Sequence, residues 1–368
     1  MAKITFTVTN DLNHDQRMHK ICSTLQEAGH EVKLLGRNRK NSQKLLKQPF
    51  EQYRLSLPFE SGKLFYLSYN LKVFWHLLWR DKAEVIGAVD LDSLAACGLA
   101  AWIRGKKLTF DAHEYYTEVP ELLGRETVKK LWDFIGKVFV TKASVCYTVG
   151  PCLAGIFGEK YQKPFTVIRN APLKQPYVPK SSSEIHQKWQ KKRLWYQGAL
   201  NKGRGLEELI ESMEQLPDWE LFIAGEGDLS FSLREMVEKK KLENQVKFLG
   251  MCSYNELKAH AAEASLGFNL LNAESLSYYY SLANKFLDYI QFRMPQISMD
   301  FPEYKKINEE YPCAILLSEL KVDLIVKKLL TLQSNFEAYG VMFKACEEAA
   351  EKYCWEREAV KLTTLYGK

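Results

Sequence analysis

The chain is organised around the stretch Tyr278-Tyr279-Tyr280-Ser281-Leu282-Ala283-Asn284-Lys285-Phe286-Leu287-Asp288-Tyr289-Ile290. Its pattern predicts a helix that begins with Ser281 as the N-cap. Lys285 then lies close to the helix N-terminus, where the partial positive charge of the backbone disfavours a lysine. An anion bound by the free backbone N–H groups and by the ammonium would remove this conflict. The stretch therefore predicts an anion site.

The polar side chains of this stretch share one helix face, because they are spaced by three and four residues. They are Ser281, Asn284, Lys285 and Asp288. A carboxylate one turn inside an anion-binding helix end can accept hydrogen bonds from ribose hydroxyls, so Asp288 makes a nucleoside diphosphate the expected anion. A polar helix start beside solvent explains the stretch, taken alone, equally well.

Length and composition indicate two packed domains. The chain has 368 residues, of which 46% are hydrophobic, and an average domain has roughly 150. Residues 1–172 hold 25 Lys and Arg against 17 Asp and Glu, so this half carries the whole positive excess of a chain whose net charge is +6. That asymmetry suits an anionic partner such as a membrane surface, although an ordinary solvated surface also produces it. No nucleic-acid-binding module is recognised, and nucleic acid is not expected as a partner.

Cysteine use and the N-terminus predict a cytoplasmic protein, peripheral at most to the inner face of the membrane. The eight cysteines include no C-x-x-C pair, which indicates reduced core residues. Residues 1–6 enter a strand pattern directly, which predicts no signal peptide. No apolar run approaches the ~20 residues of a transmembrane helix.

The first half predicts an α/β fold. A β-branched strand at 3–9, a helix at about 15–28 and a strand at 31–36 form a β–α–β unit. It lacks the G-x-G-x-x-G motif of dinucleotide-binding folds. A helix at 69–79 is apolar nearly all round. It is predicted to be buried or docked, with a membrane-facing aromatic surface as the alternative.

A candidate site follows the strand at 107–111, which ends in Asp111-Ala112-His113-Glu114. Polar residues just past the carboxyl end of a parallel strand are where α/β sheets bind ligands. His113 lies between two carboxylates and is predicted to be functional, through a hydrogen bond to a bound substrate. A structural histidine is the alternative.

The loop after the first strand is predicted to line the same region. It contributes Asp11, Asp15 and Arg17, which join Asp111 and Glu114 as candidate substrate-binding residues. Asp11 could equally cap the turn that follows it.

The second half repeats the α/β pattern after a linker. Prolines at 172, 176 and 179 and serines at 181–183 mark this linker, over residues 173–192. A strand at 193–198 then leads into a loop in which Gly203 and Gly205 let the backbone approach an anion closely. Two such halves predict a ligand cleft between them.

Lys202 and Arg204 lie in this glycine loop. Together with Lys285 they could converge on one diphosphate and stabilise the negative charge that develops as a nucleoside diphosphate departs. An ordinary strand–helix turn with exposed cations is the alternative.

Six short motifs occur along the chain in a specific order and spacing. They are Asp111-Ala112-His113-Glu114, Val167-Ile168-Arg169-Asn170, Tyr196-Gln197-Gly198-Ala199-Leu200-Asn201-Lys202-Gly203-Arg204-Gly205, Ala224-Gly225-Glu226-Gly227, Phe248-Leu249-Gly250 and Ser281-Leu282-Ala283-Asn284-Lys285-Phe286-Leu287-Asp288-Tyr289. Each is weak alone. Together they span the chain, which resembles the retaining family 4 glycosyltransferases of the GT-B fold.

The resemblance implies two Rossmann-like, doubly wound parallel-sheet domains that face a cleft, with a C-terminal helix crossing between them. An acceptor-binding domain would span 1–172, a linker 173–192, a nucleotide-sugar donor domain 193–345 and the final helical segment 346–368. It also implies transfer of a hexose from a nucleoside-diphosphate sugar to an acceptor hydroxyl with retained anomeric configuration. Surface polysaccharide or glycolipid synthesis is the expected setting.

The residue patterns and the resemblance together assign roles to residues. The catalytic residues would be Arg204, His113 and Lys285. The donor-binding residues would be Gly198, Lys202, Gly203, Gly225, Glu226, Met251, Ser281, Leu282, Ala283, Asn284 and Asp288. The acceptor-side residues would be Asp11, Asp15, Arg17, Asp111 and Glu114.

Two positions depart from the family pattern. Ala199 stands where the family commonly has arginine, which leaves Lys202 or Lys285 as the second diphosphate cation. Tyr280 stands in place of the first of the family's paired glutamates, whereas Asp288 keeps a carboxylate at the second. These departures leave a non-catalytic nucleotide-sugar-binding protein as an alternative, and a sugar-nucleotide epimerase of the same fold as a less favoured one.

No metal or other cofactor is predicted. Asp90-Leu91-Asp92 has the D-x-D spacing of a metal motif but lies in the first half, away from the predicted phosphates. The expected partners are a UDP- or GDP-sugar, a lipid-linked or saccharide acceptor and an anionic membrane.

Overall fold

The computed structural model describes residues 1–367, which divide into two units. The first comprises residues 1–170 and the C-terminal segment that starts at Arg357, and the second comprises residues 171–356. Each unit is built on one sheet whose strands all pair in parallel. The predicted α/β fold of two doubly wound parallel sheets is therefore confirmed.

In the first unit a seven-stranded sheet is connected by helices. Its strands are β1 (Lys3–Thr7), β2 (Glu31–Asn38), β3 (Glu51–Ser56), β4 (Val85–Val89), β5 (Lys107–Ala112), β6 (Val145–Thr148) and β7 (Thr166–Val167). The helices are α1 (Gln16–Glu27), α2 (Gly62–Trp79), α3 (Asp90–Arg104), α4 (Glu126–Phe139) and α5 (Pro151–Tyr161). The strand order is β3-β2-β1-β4-β5-β6-β7. Its switch point lies between β1 and β4, where open α/β sheets bind ligands at the carboxyl ends of strands.

In the second unit a six-stranded sheet repeats this plan. Its strands are β8 (Arg193–Gln197), β9 (Glu220–Ala224), β10 (Val246–Gly250), β11 (Leu266–Asn269), β12 (Gln296–Met299) and β13 (Ala314–Leu317). The helices are α6 (Ser182–Gln190), α7 (Leu206–Ser212), α8 (Ser230–Lys239), α9 (Tyr254–Glu263), α10 (Leu276–Tyr279), α11 (Asn284–Gln291), α12 (Pro302–Glu310), α13 (Val322–Gln333) and α14 (Phe336–Lys352). The order β10-β9-β8-β11-β12-β13 places the switch point between β8 and β11. The last helix of the described chain is α15 (Trp355–Leu365), which from Arg357 onward belongs to the first unit.

The core of each unit lies between its sheet and its helices. Phe6 and Phe110 are buried in the first unit, and Phe268 and Phe286 are buried in the second. Alternation of strand and helix along the sequence predicts this layering, because each parallel crossover places a helix on a sheet face.

The segment predicted to be a linker contains a helix. Ser181 accepts a hydrogen bond from the backbone N–H of Glu184, and the Glu184 side chain accepts one from the backbone N–H of Ser181. This capping box starts α6. The serine run at 181–183 is therefore a helix start, which composition alone did not indicate.

Helix α11 begins at Asn284, with Ala283 in extended conformation as its N-cap. The prediction that Ser281 caps this helix is wrong. Ser281 Oγ donates to the carbonyl of Tyr278 at 2.8 Å, at the end of α10, which is capped by Ser275. The cap depends on where the backbone changes from extended to helical dihedrals, and side-chain spacing does not determine that point.

Among residues 1–367, no helix is both long enough and apolar enough to cross a bilayer.

Candidate functional site

Lys285 is a buried lysine for which the described residues supply no counter-charge. It lies in the first turn of α11 and is 6% exposed, with its ammonium 3.7 Å from the centroid of the Tyr196 ring. Its Nζ has no hydrogen-bond partner within the described chain. Burial, reinforced by nearby Arg204, lowers the pKa of Lys285 well below its usual range. An anion bound at Nζ would oppose both effects.

Arg204 is the second cation of this site. It lies in the loop between β8 and α7, with its guanidinium carbon 5.8 Å from the centroid of the Tyr278 ring. Its Nε has no hydrogen-bond partner among residues 1–367. The groups that shift the pKa of Lys285 include Arg204 and no carboxylate. Two mutually repelling cations, of which Lys285 is buried without a hydrogen-bond partner among residues 1–367, form a site prepared for an anion with more than one charge.

Glycines keep the space beside these cations open. Gly198 and Gly225, at the carboxyl ends of β8 and β9, have φ angles of 130° and 133°. A Cβ added to Gly225 would lie 2.0 Å from the carbonyl oxygen of Gly198. A Cβ added to Gly198 would lie 3.4 Å from Lys285 Nζ. Both positions require glycine, because side chains strain a backbone with these φ angles, and a Cβ at Gly225 would also collide with the Gly198 carbonyl.

A buried amide orients the carboxylate of Asp288. Gln197 Nε2 donates to Asp288 Oδ2 at 2.8 Å, while the indole Nε1 of Trp195 donates to Gln197 Oε1 at 3.0 Å. An indole N–H can only donate, so Trp195 decides which way the amide faces and directs its NH₂ group to Asp288. Sequence reasoning missed Gln197, although its position just before the strand-end Gly198 was a usable signal.

The remaining predicted donor residues lie near the surface or make local contacts. Glu226 pairs with Arg234, with 2.6 Å between Oε1 and Nη2, and the hydrogen bond from Arg234 lowers the pKa of Glu226. Met251 follows β10 and is 77% exposed. Gly203 accepts a backbone hydrogen bond from Asn272 at 2.9 Å.

Burial distinguishes the two lysines that were candidates for the second diphosphate cation. Lys202 is exposed, whereas Lys285 is buried beside Arg204. In the segment before α11, Leu282 is buried, and the backbone N–H of Ala283 donates to a tyrosine hydroxyl at 3.3 Å. Lys285 is therefore the better placed of the two cations.

In the first unit, Arg17 and Asp111 form a buried ion pair. Arg17 Nε and Nη2 donate to the two Asp111 carboxylate oxygens at 3.0 and 2.8 Å, and Arg17 Nη1 donates to the carbonyl of Ile168 at 2.8 Å. The two side chains are 4% and 1% exposed. This bidentate geometry ties α1 to the carboxyl end of β5. Predicted acceptor-side residues thus meet here in a structural contact.

His113 lies between two carboxylates, as the sequence suggested. Its Nε2 is 2.8 Å from Asp111 Oδ2, its Nδ1 is 3.6 Å from Asp90 Oδ2, and its backbone N–H donates to Asp90 Oδ1 at 2.8 Å. Burial alone would lower the pKa of His113, but Asp111 and Asp90 outweigh burial and raise it to about 9. At neutral pH the ring is an imidazolium that can donate from both nitrogens.

Asp90 is a candidate site residue that sequence reasoning missed. It follows β4 with a φ of 55°, a conformation that a non-glycine residue keeps only when its surroundings hold it. Burial raises the pKa of Asp90, and Glu114 adds to that effect. The D-x-D spacing was noted only as a metal motif, although the strand end itself marked Asp90 as a neighbour of His113.

The other predicted acceptor-side residues have mainly capping and surface roles. Asp11 accepts from the backbone N–H of Asn13 at 3.1 Å and pairs with Arg54, so it makes the cap that the sequence allowed as an alternative. Asp15 accepts from the backbone N–H of Met18 at 3.1 Å and caps α1. Glu114 is exposed and lines a small cleft with aromatic residues.

His113 makes the stability of the first unit pH-dependent. Its pKa is about 9 in the folded chain and about 6.5 when unfolded. Its stabilising contribution is therefore complete below about pH 6.5 and is lost as the pH rises through about 9. We expect the melting temperature to decline between pH 7 and 9.5, and His113→Gln to flatten that decline. Melting curves over this range measure it, with His186→Gln, an exposed histidine of α6, as the control; parallel curves for wild type and His113→Gln would contradict the prediction.

Within residues 1–367, no group of three or more His, Cys, Asp or Glu side chains is arranged to hold a metal ion. Independence from metal stays a prediction.

Part of the sequence matches a family model, and the structure of the chain resembles solved structures. Residues 180–349 match the family model described as "Glycosyl transferases group 1", and no curated protein matches the chain by sequence. Anabaena HepE, solved in complex with UDP and glucose, superposes with a TM-score of 0.77 at 15% identity, covering 100% of this chain and 98% of HepE. The chain has the GT-B fold.

Other GT-B structures resemble the chain over a similar extent. WaaG, a glycosyltransferase involved in lipopolysaccharide biosynthesis, matches at 14% identity with a TM-score of 0.74, covering 99% of this chain and 100% of WaaG. A protein from Listeria monocytogenes described as a UDP-N-acetylglucosamine 2-epimerase matches at 14% identity with a TM-score of 0.65, covering 98% of this chain and 94% of that one. At such low identities the likeness establishes the fold alone.

Proposed function

We propose that this GT-B protein is a retaining family 4 glycosyltransferase. It transfers a hexose from a nucleoside-diphosphate sugar to an acceptor hydroxyl. One observation carries the proposal: Lys285 is buried next to Arg204 at the carboxyl edge of the second sheet, and its ammonium has no hydrogen-bond partner among residues 1–367. A diphosphate supplies the missing negative charge and enough oxygens for both cations. The group 1 family match over the same domain supports this assignment.

The donor is held by the second unit in this proposal. Lys285 and Arg204 bind the diphosphate, Asp288 accepts hydrogen bonds from the ribose, and backbone groups near Met251 contact the base. Burial lowers the pKa of Lys285 while the site is empty. An incoming diphosphate stabilises the ammonium form and so raises that pKa again.

Transfer then proceeds without a protein nucleophile. The bond between the anomeric carbon and the diphosphate oxygen breaks, and the acceptor oxygen attacks the same face of the sugar. The acceptor proton passes to the departing diphosphate, whose negative charge Lys285 and Arg204 stabilise. Anomeric configuration is retained. No metal is needed, because the two cations supply the charge that a metal would otherwise provide.

The acceptor is assigned to the first unit, at the cluster around His113. The imidazolium can donate a hydrogen bond to a substrate hydroxyl, and exposed Glu114 can accept one. We infer a lipid-linked or saccharide acceptor in the synthesis of a surface polysaccharide or glycolipid, at the inner face of the membrane. A UDP-sugar is the first donor to test, since HepE was solved with UDP and glucose; a GDP-sugar is the second.

A non-catalytic nucleotide-sugar-binding protein is the second candidate. Tyr280, which stands where the family has a glutamate, favours it, because the donor sugar loses a carboxylate contact. A sugar-nucleotide epimerase of the same fold is the third candidate, and the sequence shows no acid and base placed for that chemistry.

A donor panel followed by product analysis separates these candidates. UDP-, GDP-, ADP- and CMP-sugars are screened by thermal shift, and the stabilising donor is incubated with octyl glycosides while NMR follows the anomeric proton. The proposal predicts nucleotide release, a product with the donor's anomeric configuration and no loss of rate in EDTA. Binding without turnover indicates the binding protein, and an altered sugar still attached to its nucleotide indicates the epimerase. A loss of rate in EDTA that magnesium or manganese reverses would refute the metal-free mechanism.

A further inference from the structure

One face of α2 carries large apolar side chains that the fold leaves in solvent. They are Leu64, Leu67, Leu71, Trp75 and Trp79, between 50% and 74% exposed. Steps of three and four residues place them on one side of the helix. The opposite side, which includes Phe65, Tyr69, Val73 and Leu77, is buried. The burial expected from the sequence therefore holds for only half of this helix.

The neighbouring helices continue this apolar surface. In α3, Leu99, Trp102 and Ile103 are 42%, 71% and 52% exposed, and in α4, Leu131 and Phe134 are 55% and 65% exposed.

Contacts place the three helices side by side. Arg104 Nη1 of α3 donates to the carbonyl of Leu77 in α2 at 2.7 Å, and Gly98 of α3 lies against the ring of Phe139 in α4. Monomeric proteins rarely expose large apolar patches that lack a binding role.

The charges on the same helices are basic. Helix α2 contains no Asp or Glu, and the exposed cations of this region are Lys63, Lys72, Arg80, Lys106, Lys130 and Lys137. Of the two acids of α4, Asp133 pairs with Lys160 at 2.5 Å, whereas Glu126 is exposed and lies 3.8 Å from Lys129. Exposed cations therefore outnumber exposed acids around the apolar side chains of these helices.

This combination fits a lipid bilayer better than a protein. Lysine is depleted at the centre of protein interfaces, whereas basic residues around Trp and Leu are typical of helices that lie in the membrane interface. Tryptophan favours the headgroup level because its ring is apolar and its N–H is polar. Trp75 and Trp79 stack with ring centroids 6.4 Å apart, which gives the surface a rigid aromatic edge.

We propose that the outward faces of α2, α3 and α4, here called the docking surface, bind an anionic lipid bilayer. The apolar side chains enter the boundary between headgroups and acyl chains, and the lysines contact lipid phosphates. This inference deepens the proposed function. It rests on that function in one respect: the lipid-linked acceptor is the reason why the protein needs a bilayer. The contact itself depends on the docking surface alone.

Vesicle flotation of the full chain tests the docking surface. Vesicles of phosphatidylcholine alone are compared with vesicles containing about one third phosphatidylglycerol, at 150 mM NaCl. We expect flotation with the anionic vesicles. For the triple variant Trp75→Ser, Trp79→Ser, Trp102→Ser we expect the affinity for anionic vesicles to fall by about tenfold or more. The pair Lys63→Gln, Lys72→Gln should lose roughly tenfold in affinity for anionic vesicles only.

A matched control uses exposed apolar residues of the second unit. Phe231 and Val341 are 79% and 55% exposed, and Phe231→Ser with Val341→Ser should leave flotation unchanged. Equal loss in the control and triple variants, or no flotation of the wild type, overturns the proposal. So does a concentration-dependent dimer, detected by light scattering, that the triple variant abolishes, because the occupant would then be a second copy.

Donor-induced thermal shifts on the same proteins keep the two proposals distinguishable. The triple variant should keep the wild-type donor shift while it loses flotation, which supports docking through this surface. Flotation without any donor shift would support the docking surface and count against the glycosyltransferase. Loss of the donor shift in the triple variant would show general unfolding and overturn the assignment of these tryptophans to docking.

Discussion

Arg204→Ala and Lys285→Ala should each lower kcat/KM for sugar transfer by about 10³-fold. Each substitution removes a cation that stabilises the departing diphosphate. Loss of a single neutral hydrogen-bond donor to a developing negative charge already lowers the rate by ~10²–10³. Steady-state kinetics with the donor that gives the largest thermal shift measures the effect. Lys202→Ala in the same loop is the matched control, and we expect less than about threefold loss because Lys202 is exposed.

Stability distinguishes this role from a structural one. Among residues 1–367 the buried Lys285 has no acidic partner, so Lys285→Met removes an uncompensated polar group from the interior. The melting temperature of the ligand-free Lys285→Met variant should equal or exceed that of the wild type, while stabilisation by UDP is lost. A Lys285→Met protein that is destabilised and still binds UDP would contradict the assignment.

Asp111→Ala should destabilise the first unit by about 3–5 kcal/mol, because it leaves the buried Arg17 guanidinium without its counter-charge. Arg17 is 4% exposed and makes two hydrogen bonds to this carboxylate. Urea unfolding of the full chain, analysed as separate transitions if two appear, measures the change. Glu235→Ala, which breaks an exposed pair with Lys239, should have almost no effect.

A double substitution tests whether charge is the cause. Arg17→Met with Asp111→Leu removes both charges and fills a similar volume, so most of the lost stability should return. His113 then loses Asp111 and keeps Asp90 as an acidic partner, so the pKa of the ring should fall. If the double variant is as unstable as Asp111→Ala, packing rather than charge holds α1 to β5.

Local sequence signals were enough to predict the fold. The alternation of β-branched strands with helices, and the glycines at strand ends, predict parallel α/β units because each signal acts within a few residues. The stretch at 278–290 also placed Lys285 correctly near the N-terminus of a helix. The prediction from the same stretch that Ser281 is the N-cap of α11 was wrong, because the position of the cap depends on backbone dihedrals that the following turn sets.

The pairing of distant residues came only from the tertiary structure. Tyr196 and Lys285 meet because β8 and α11 pack together, and no spacing rule links them. Asp90 faces His113 because β4 and β5 are neighbours in the sheet. Each contact depends on strand order and register.

The sequence by itself determined which functional groups are present: cations and a carboxylate near a helix start, and a histidine between acids at a strand end. The tertiary structure decided which of these groups lose solvent and which face one another. It showed that Lys285 rather than Lys202 is buried beside Arg204. It also showed that α2, apolar nearly all round, has only one side covered. Burial depends on which elements pack against a residue, and composition does not contain that information.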